Sequence, residues 1–143
     1  MNWVGVTATP QVSNGQVINI TEVTDVAPKL SAQLQKFYGD NRKFPRCIRA
    51  TELTRELSIT TGDAAVANSI NPNVPYTITA TLCDAFNGSG VGAITYTFKN
   101  CCLQENGVKA ANNKFGEITL MFDSFGDDSV SPDTDPFSFV VAT

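Results

Sequence analysis

The sequence contains no histidine. That one absence removes the commonest general base and the commonest metal ligand together. A Ser-His-Asp triad, a Cys-His dyad and a histidine-bearing zinc site are all excluded. Charge is also scarce: 17% of residues carry it, against the usual quarter. Threonine, serine and asparagine take its place, as in β-rich proteins that present uncharged polar faces. No run approaches the roughly 18 apolar residues that a membrane span needs. The first ten residues lack both a charged n-region and a long apolar stretch, so no signal peptide is expected and folding in a cytoplasm is. The single tryptophan, Trp3, lies near the start. It forms no aromatic stripe of the kind a sugar-binding sandwich uses, and it reads as a packing or subunit-contact residue.

Cysteine is present but unpatterned. Cys47, Cys83, Cys101 and Cys102 contain no C-x-x-C pair, so reduced, mostly buried thiols are expected. The carboxylates Asp123, Asp127 and Asp128 lie in a Ser/Gly/Asp/Pro stretch that reads as a solvated turn. No nucleophile or oxyanion motif accompanies them, and the D-x-D-x-D-G spacing of a calcium loop is missing. The chain is therefore expected not to be an enzyme and to use no cofactor or metal.

What remains is β pattern. With 143 residues and 42% apolar content, residues 1–143 make one domain able to bury its own core. Three Asn-Gly pairs, Asn14-Gly15, Asn87-Gly88 and Asn106-Gly107, are hairpin-turn signals because both residues tolerate positive φ. The segments around them alternate. Tyr76, Ile78, Ala80 and Leu82 oppose Thr77, Thr79 and Thr81. Ile94, Tyr96 and Phe98 oppose Thr95, Thr97 and Lys99, and Ile118, Leu120 and Phe122 oppose Thr119, Met121 and Asp123. Period two with one apolar side predicts antiparallel strands with one face on a core. Phe44 to Thr60 is a further long strand. Ala27 to Phe37 carries Leu30, Leu34 and Phe37 behind Pro28, a spacing that predicts a short helix or a packed loop. Thr61 to Ile70 predicts a helix capped by Asp63 and stopped by Pro72.

Charge is segregated along the chain. Residues 42–55 hold five cations and one anion, a balance of +4, while residues 117–143 hold six anions and no cation. Such a dipole suits head-to-tail association of identical copies. It equally describes two solvated loops of opposite sign.

The order of these features resembles the bacteriophage tail tube protein family. The carrying runs are T-G-D-A-A-V-A at Thr61–Ala67, Y-T-I-T-A-T-L-C-D-A at Tyr76–Ala85, G-A-I-T-Y-T-F-K-N-C-C-L at Gly92–Leu103 and F-G-E-I-T-L-M-F-D-S-F at Phe115–Phe125. The likeness in wording covers residues 61–125, and in topology about 1–140. Tube subunits of phage-tail-like contractile injection devices are similar. The resemblance implies an antiparallel β-sandwich or barrel with one short flanking α-helix. It also implies hexameric rings in which the sheets of neighbouring subunits join into one ring-wide β-barrel. Stacked head to tail, the rings make a hollow conduit for genome passage into the host cell. The implied partners are further copies of the chain, sheath, baseplate and tail-terminator proteins, and DNA passing without sequence-specific contact; no membrane is implied. The implied location is the virion tail, assembled in host cytoplasm. The alternative is another β-sandwich virion component, a capsid decoration, baseplate or tail-completion protein. Within the resemblance, Arg42, Lys43 and Arg46 lie near a long loop directed at the next ring. They are expected to meet Asp127, Asp128, Asp133 and Asp135 of a neighbour. Net charge of −4 fits a conduit better than a DNA binder, since a basic wall would hold phosphates.

Overall fold

The computed structural model describes residues 2–12, 15–63, 65–83, 93–109, 116–128 and 134–141. The elements run β1 (Asn2–Pro10), β2 (Ile18–Ile20), β3 (Val23–Phe37), β4 (Cys47–Thr61), α1 (Val66–Ser69), β5 (Tyr76–Cys83), β6 (Ile94–Lys109), β7 (Glu117–Ser124) and β8 (Phe137–Val141). Every ladder between them is antiparallel. The mainly β class expected from the alternating pattern is the class that forms.

The strand order is β2-β1-β5-β6-β7-β4-β3, with β8 also paired to β6. β6 is long enough to serve two neighbourhoods. Its first part, Ile94 to Cys101, pairs with β5 on one side, and Ile94 to Phe98 pair with β8 on the other. Its second part, Cys101 to Lys109, pairs with β7. The change of partner occurs at Asn100, whose φ is 59°. Asparagine tolerates this left-handed conformation better than most residues. Its side-chain amide donates to the carbonyls of Phe125 and Gly126 at 3.3 and 3.1 Å. A register shift at the same place puts Phe98 and Cys101 on one side, both buried. The sheet thus has two halves: β2-β1-β5-β6-β8, and β6-β7-β4-β3.

The core lies between the inner sides of these halves. It is built from Val6 and Ala8 of β1, Leu57 and Ile59 of β4, Ile78 and Ala80 of β5, and Ile118, Leu120 and Phe122 of β7. Phe98 and Cys101 of β6 join them, and Val66 and Ile70 on and after α1 cover one end. Most are apolar positions of a period-two pattern, which is why the core is readable from sequence. No ladder among the described residues joins β2 to β3, so the sheet is not closed. Thr61 instead ties the two ends together, its hydroxyl donating to the Thr21 carbonyl at 2.5 Å. The Gly62 amide donates to the Glu22 carbonyl at 3.1 Å.

Three sequence expectations are corrected. Ala27 to Phe37 is neither helix nor loop but most of β3, paired with β4 along its length. Leu30, Ala32 and Leu34 alternate as a strand does, and their cross-strand partners outweigh the weak helical spacing. Pro28 is compatible because β3 ends the sheet, where a missing N–H breaks no ladder. Asn106-Gly107 is not a turn: it sits inside β6, paired with Leu120 and Thr119. Asp63 does not cap the helix, which is only four residues long with Ala65 at its N-cap. Its carboxylate accepts the Ala65 amide at 3.1 Å and the Thr21 hydroxyl at 2.9 Å, holding the preceding turn. Asn14 and Asn87-Gly88 lie outside the described residues.

Candidate functional site

β3 and β4 pair along nearly their full length, but β7 covers β4 only from Arg55 to Thr61. The remaining part, from Ser31 out to the loop 38–46 and back to Thr54, is a two-stranded arm. Its two faces differ. Antiparallel register puts Ala32 beside Leu53, Leu34 beside Ala50 and Lys36 beside Ile48. A bulge between Gln33 and Leu34 keeps these residues on one side. That side continues the core stripe of Val26, Leu57 and Ile59 beyond the body. Nothing among the described residues covers it: Leu30, Leu34, Ile48 and Leu53 are 53%, 55%, 51% and 65% exposed. The opposite face carries Gln33, Gln35, Arg49 and Glu52, with the Arg49 guanidinium 5.8 Å from the Phe37 ring centre. At the tip, Phe44 is 82% exposed. A bare two-stranded ribbon is marginal in water. Covering each half-exposed leucine or isoleucine gains about 1 kcal/mol or more.

At the base of the arm, an open groove of about 440 Å³ is lined by Leu30, Leu53, Arg55, Ser124, Gly126 and Asp135. Arg55 closes its floor with a two-pronged contact to Asp135, Nε to Oδ1 at 3.0 Å and a terminal nitrogen to Oδ2 at 2.5 Å. The same guanidinium lies 5.1 Å from the Phe137 ring centre. Hydrogen bonding from Arg55 holds the Asp135 carboxyl below its ordinary value of 3.8, against a smaller opposing effect of burial. No sequence signal announces this pair, because 80 residues separate its members.

The anticipated contact residues fall into two groups. Arg42, Lys43 and Arg46 are exposed in the tip loop and form no salt bridge among the described residues. Asp127 and Asp135 are each held within their own chain, Asp127 by Lys99 at 3.3 Å and Asp135 by Arg55. Asp128 is exposed, and Asp133 lies outside the described residues. Nine strand residues at about 3.3 Å each put Arg46 roughly 30 Å from Arg55 and hence from Asp135. The two groups therefore do not meet inside one subunit. Asp123 faces away from the core opposite Glu56.

The outward face of the first half-sheet has a different character. Register aligns Ser138, Thr97, Thr79, Thr7 and Asn19 in one row across five strands. A parallel row holds Val140, Thr95 and Thr81, the two threonine hydroxyls 3.4 Å apart. β8 pairs only with β6 among the described residues, leaving one edge open, and Phe139 and Val140 are 65% and 69% exposed.

The cysteines match their expected chemistry only in part. Cys101 is buried, and that burial pushes its thiol from 9.0 to about 12 against the hydrogen bond with Ser124 at 3.2 Å. Cys47, at the arm's outer end, is exposed.

No family model matches the sequence, and no curated protein matches it. Solved structures do share its fold. One is a chain of the anti-feeding prophage (AFP) baseplate, a cryo-electron microscopy structure symmetrised six-fold. It has TM-score 0.52 and 10% identity, over 95% of this chain and 91% of that one. Another is a chain from the tail of an empty GTA particle with C6 symmetry, at TM-score 0.55 and 10% identity, over 94% and 95%. At this identity the likeness is one of fold.

Proposed function

We propose that the chain is a non-enzymatic structural subunit of a phage-type tail, and within that class the tube subunit. Six copies form a ring, and rings stack head to tail into a hollow conduit for the genome. The observation that carries this reading is the arm. A core stripe that runs on past its own sheet, with four aliphatic side chains half or more exposed, has a physical purpose only if another subunit completes it. Open edges at β8 and β2 add to the argument, since unpaired strand edges call for pairing or protection. The fold's occurrence in six-fold tail and baseplate assemblies supports a location in the tail. The expected partners are further copies, with sheath, baseplate and tail-terminator proteins at the tube's outside and ends. Arg42, Lys43 and Arg46 at the arm's tip reach the acidic 127–135 segment of the next copy, adding to the pairs that Asp127 and Asp135 already make.

A second reading is a baseplate ring component, which the likeness to a baseplate chain favours. Electron microscopy of the purified protein at rising concentration separates the two. Hollow rods of uniform bore are the expected result. Single rings or small particles that never stack, even beside an initiating complex, would shift the reading to the baseplate.

A further inference from the structure

We infer that Phe44, at the tip of the arm, is a knob that seats in the groove at the base of another copy's arm. This rests on the reading that copies of the chain assemble, and it names the side chain and the hole by which one copy holds the next. The tip loop builds the knob. Phe44 is 82% exposed, more than any other large apolar side chain among the described residues. Pro45 follows it, which restricts the backbone of Phe44. The loop is tied behind it. The Arg46 amide donates to the Phe37 carbonyl at 2.7 Å, and the Arg42 amide to the Gly39 carbonyl at 3.3 Å. An aromatic ring on a restrained loop loses little freedom when it is bound. Around it, Arg42, Lys43 and Arg46 outweigh Asp40 in charge.

The groove suits such a knob in size and in chemistry. Its volume of about 440 Å³ admits a phenyl ring. Leu30 and Leu53 supply aliphatic walls that are 53% and 65% exposed, so covering them is favourable. Arg55 lines the same space with its side chain still 23% exposed, and a guanidinium attracts an aromatic face. Asp135 already balances that guanidinium, so seating a ring there buries no unpaired charge. The Asp135 side chain is 49% exposed, and Asp128, two residues beyond Gly126, is exposed as well. These carboxylates lie on the groove's side of the contact and the tip's cations on the other. An aromatic anchor in a pocket, ringed by complementary polar groups, is the arrangement that dominates binding at protein contacts. Phe44 cannot enter the groove of its own chain, which lies roughly 30 Å away by strand rise. The occupant is therefore a second copy. Knob and groove are different surfaces, so each copy offers one of each and the contact propagates head to tail.

The test places a photoreactive benzoyl group on the Phe44 ring of the full chain. The assembled protein is irradiated, and mass spectrometry locates the cross-linked peptides. Mixing isotopically labelled and unlabelled chains shows that the link joins two copies. The expected links fall within Leu30–Arg55 or Ser124–Pro136 of the other copy. Two variants read the contact from its two sides, with circular dichroism as the check on folding. Phe44→Ala removes the knob. Gly126→Trp fills the hole, and it is sterically allowed because a Cβ on Gly126 meets nothing nearer than the Thr134 carbonyl oxygen at 4.0 Å. Each is expected to raise the concentration needed for assembly about tenfold or more. Folded Phe44→Ala or Gly126→Trp chains that assemble at the wild-type concentration would overturn the proposal, and so would cross-links that fall outside the groove. Hollow tubes with cross-links elsewhere keep the tube reading and remove this contact. Groove cross-links in an assembly that is not a hollow tube remove the tube reading and keep the contact.

Discussion

Arg55 links three parts of the molecule through one planar group. It leaves β4 where the arm begins, grips Asp135 with two hydrogen bonds and lies against Phe137 at the start of β8. Bidentate arginine–carboxylate pairs are stronger than single contacts because both prongs are fixed together. Half of the Asp135 side chain is exposed, so solvent screening limits the gain to about 1 kcal/mol. The pH dependence follows from the sign of the shift. The folded state holds the Asp135 carboxyl below 3.8, so the unfolded chain binds that proton first. The pair's stability is complete above the ordinary value and is lost as pH falls through the lowered one. Asp135→Asn is expected to lower urea-unfolding stability by about 1 kcal/mol at neutral pH, and that difference is expected to shrink as pH falls below the ordinary carboxylate value. A difference that persists undiminished in acid would assign the effect to packing on Phe137 instead.

The arm shows how an element can be locally ambiguous and globally determined. Leu30, Leu34 and Phe37 have helical spacing, but Leu30, Ala32 and Leu34 also have strand spacing, and β4 supplies a partner for every one of them. The second periodicity wins because pairing satisfies the backbone and side chains together. Its apolar face is solvated in the monomer, so substitutions there cost the monomer little. Leu34→Asp and Leu53→Asp are each expected to change monomer stability by no more than about 0.5 kcal/mol. Both are expected to abolish association into rings and stacks, since a carboxylate buried at a subunit contact without a partner is heavily penalised. Thermal unfolding reads the first effect and sedimentation velocity the second. Normal stacking by both variants would mean that the arm stays in water in the assembly.

At the scale of the whole molecule, charge is laid out along the long axis of the arm. The cationic tip, Arg42, Lys43 and Arg46, stands roughly 30 Å from the acidic segment by strand rise alone. A subunit so built cannot satisfy its own dipole, whereas head-to-tail copies can. Arg42→Glu/Lys43→Glu is expected to block stacking while leaving the fold intact. Wild-type stacking is expected to weaken with added salt, as contacts between exposed charges do. Turbidity and electron microscopy across a salt series check both. Stacking that neither the charge reversal nor salt affects would assign ring-to-ring cohesion to the apolar face of the arm alone.

Much of the core is legible in the amino-acid sequence. Ile78, Ala80, Ile118, Leu120 and Phe122 follow a strict alternation, and each is buried. The absence of histidine and the uncharged threonine face are equally plain, because composition and period two are local properties. What only the tertiary structure decided was where strands end and whom they meet. Asn106-Gly107 carries a turn signal, yet β7 extends far enough to hold it in a strand. Arg55 and Asp135 find each other only after β4, β6 and β8 are assembled. The arm's exposed stripe is likewise invisible to local pattern. A buried leucine and an uncovered one have the same side chain, and only the place where β7 stops tells them apart.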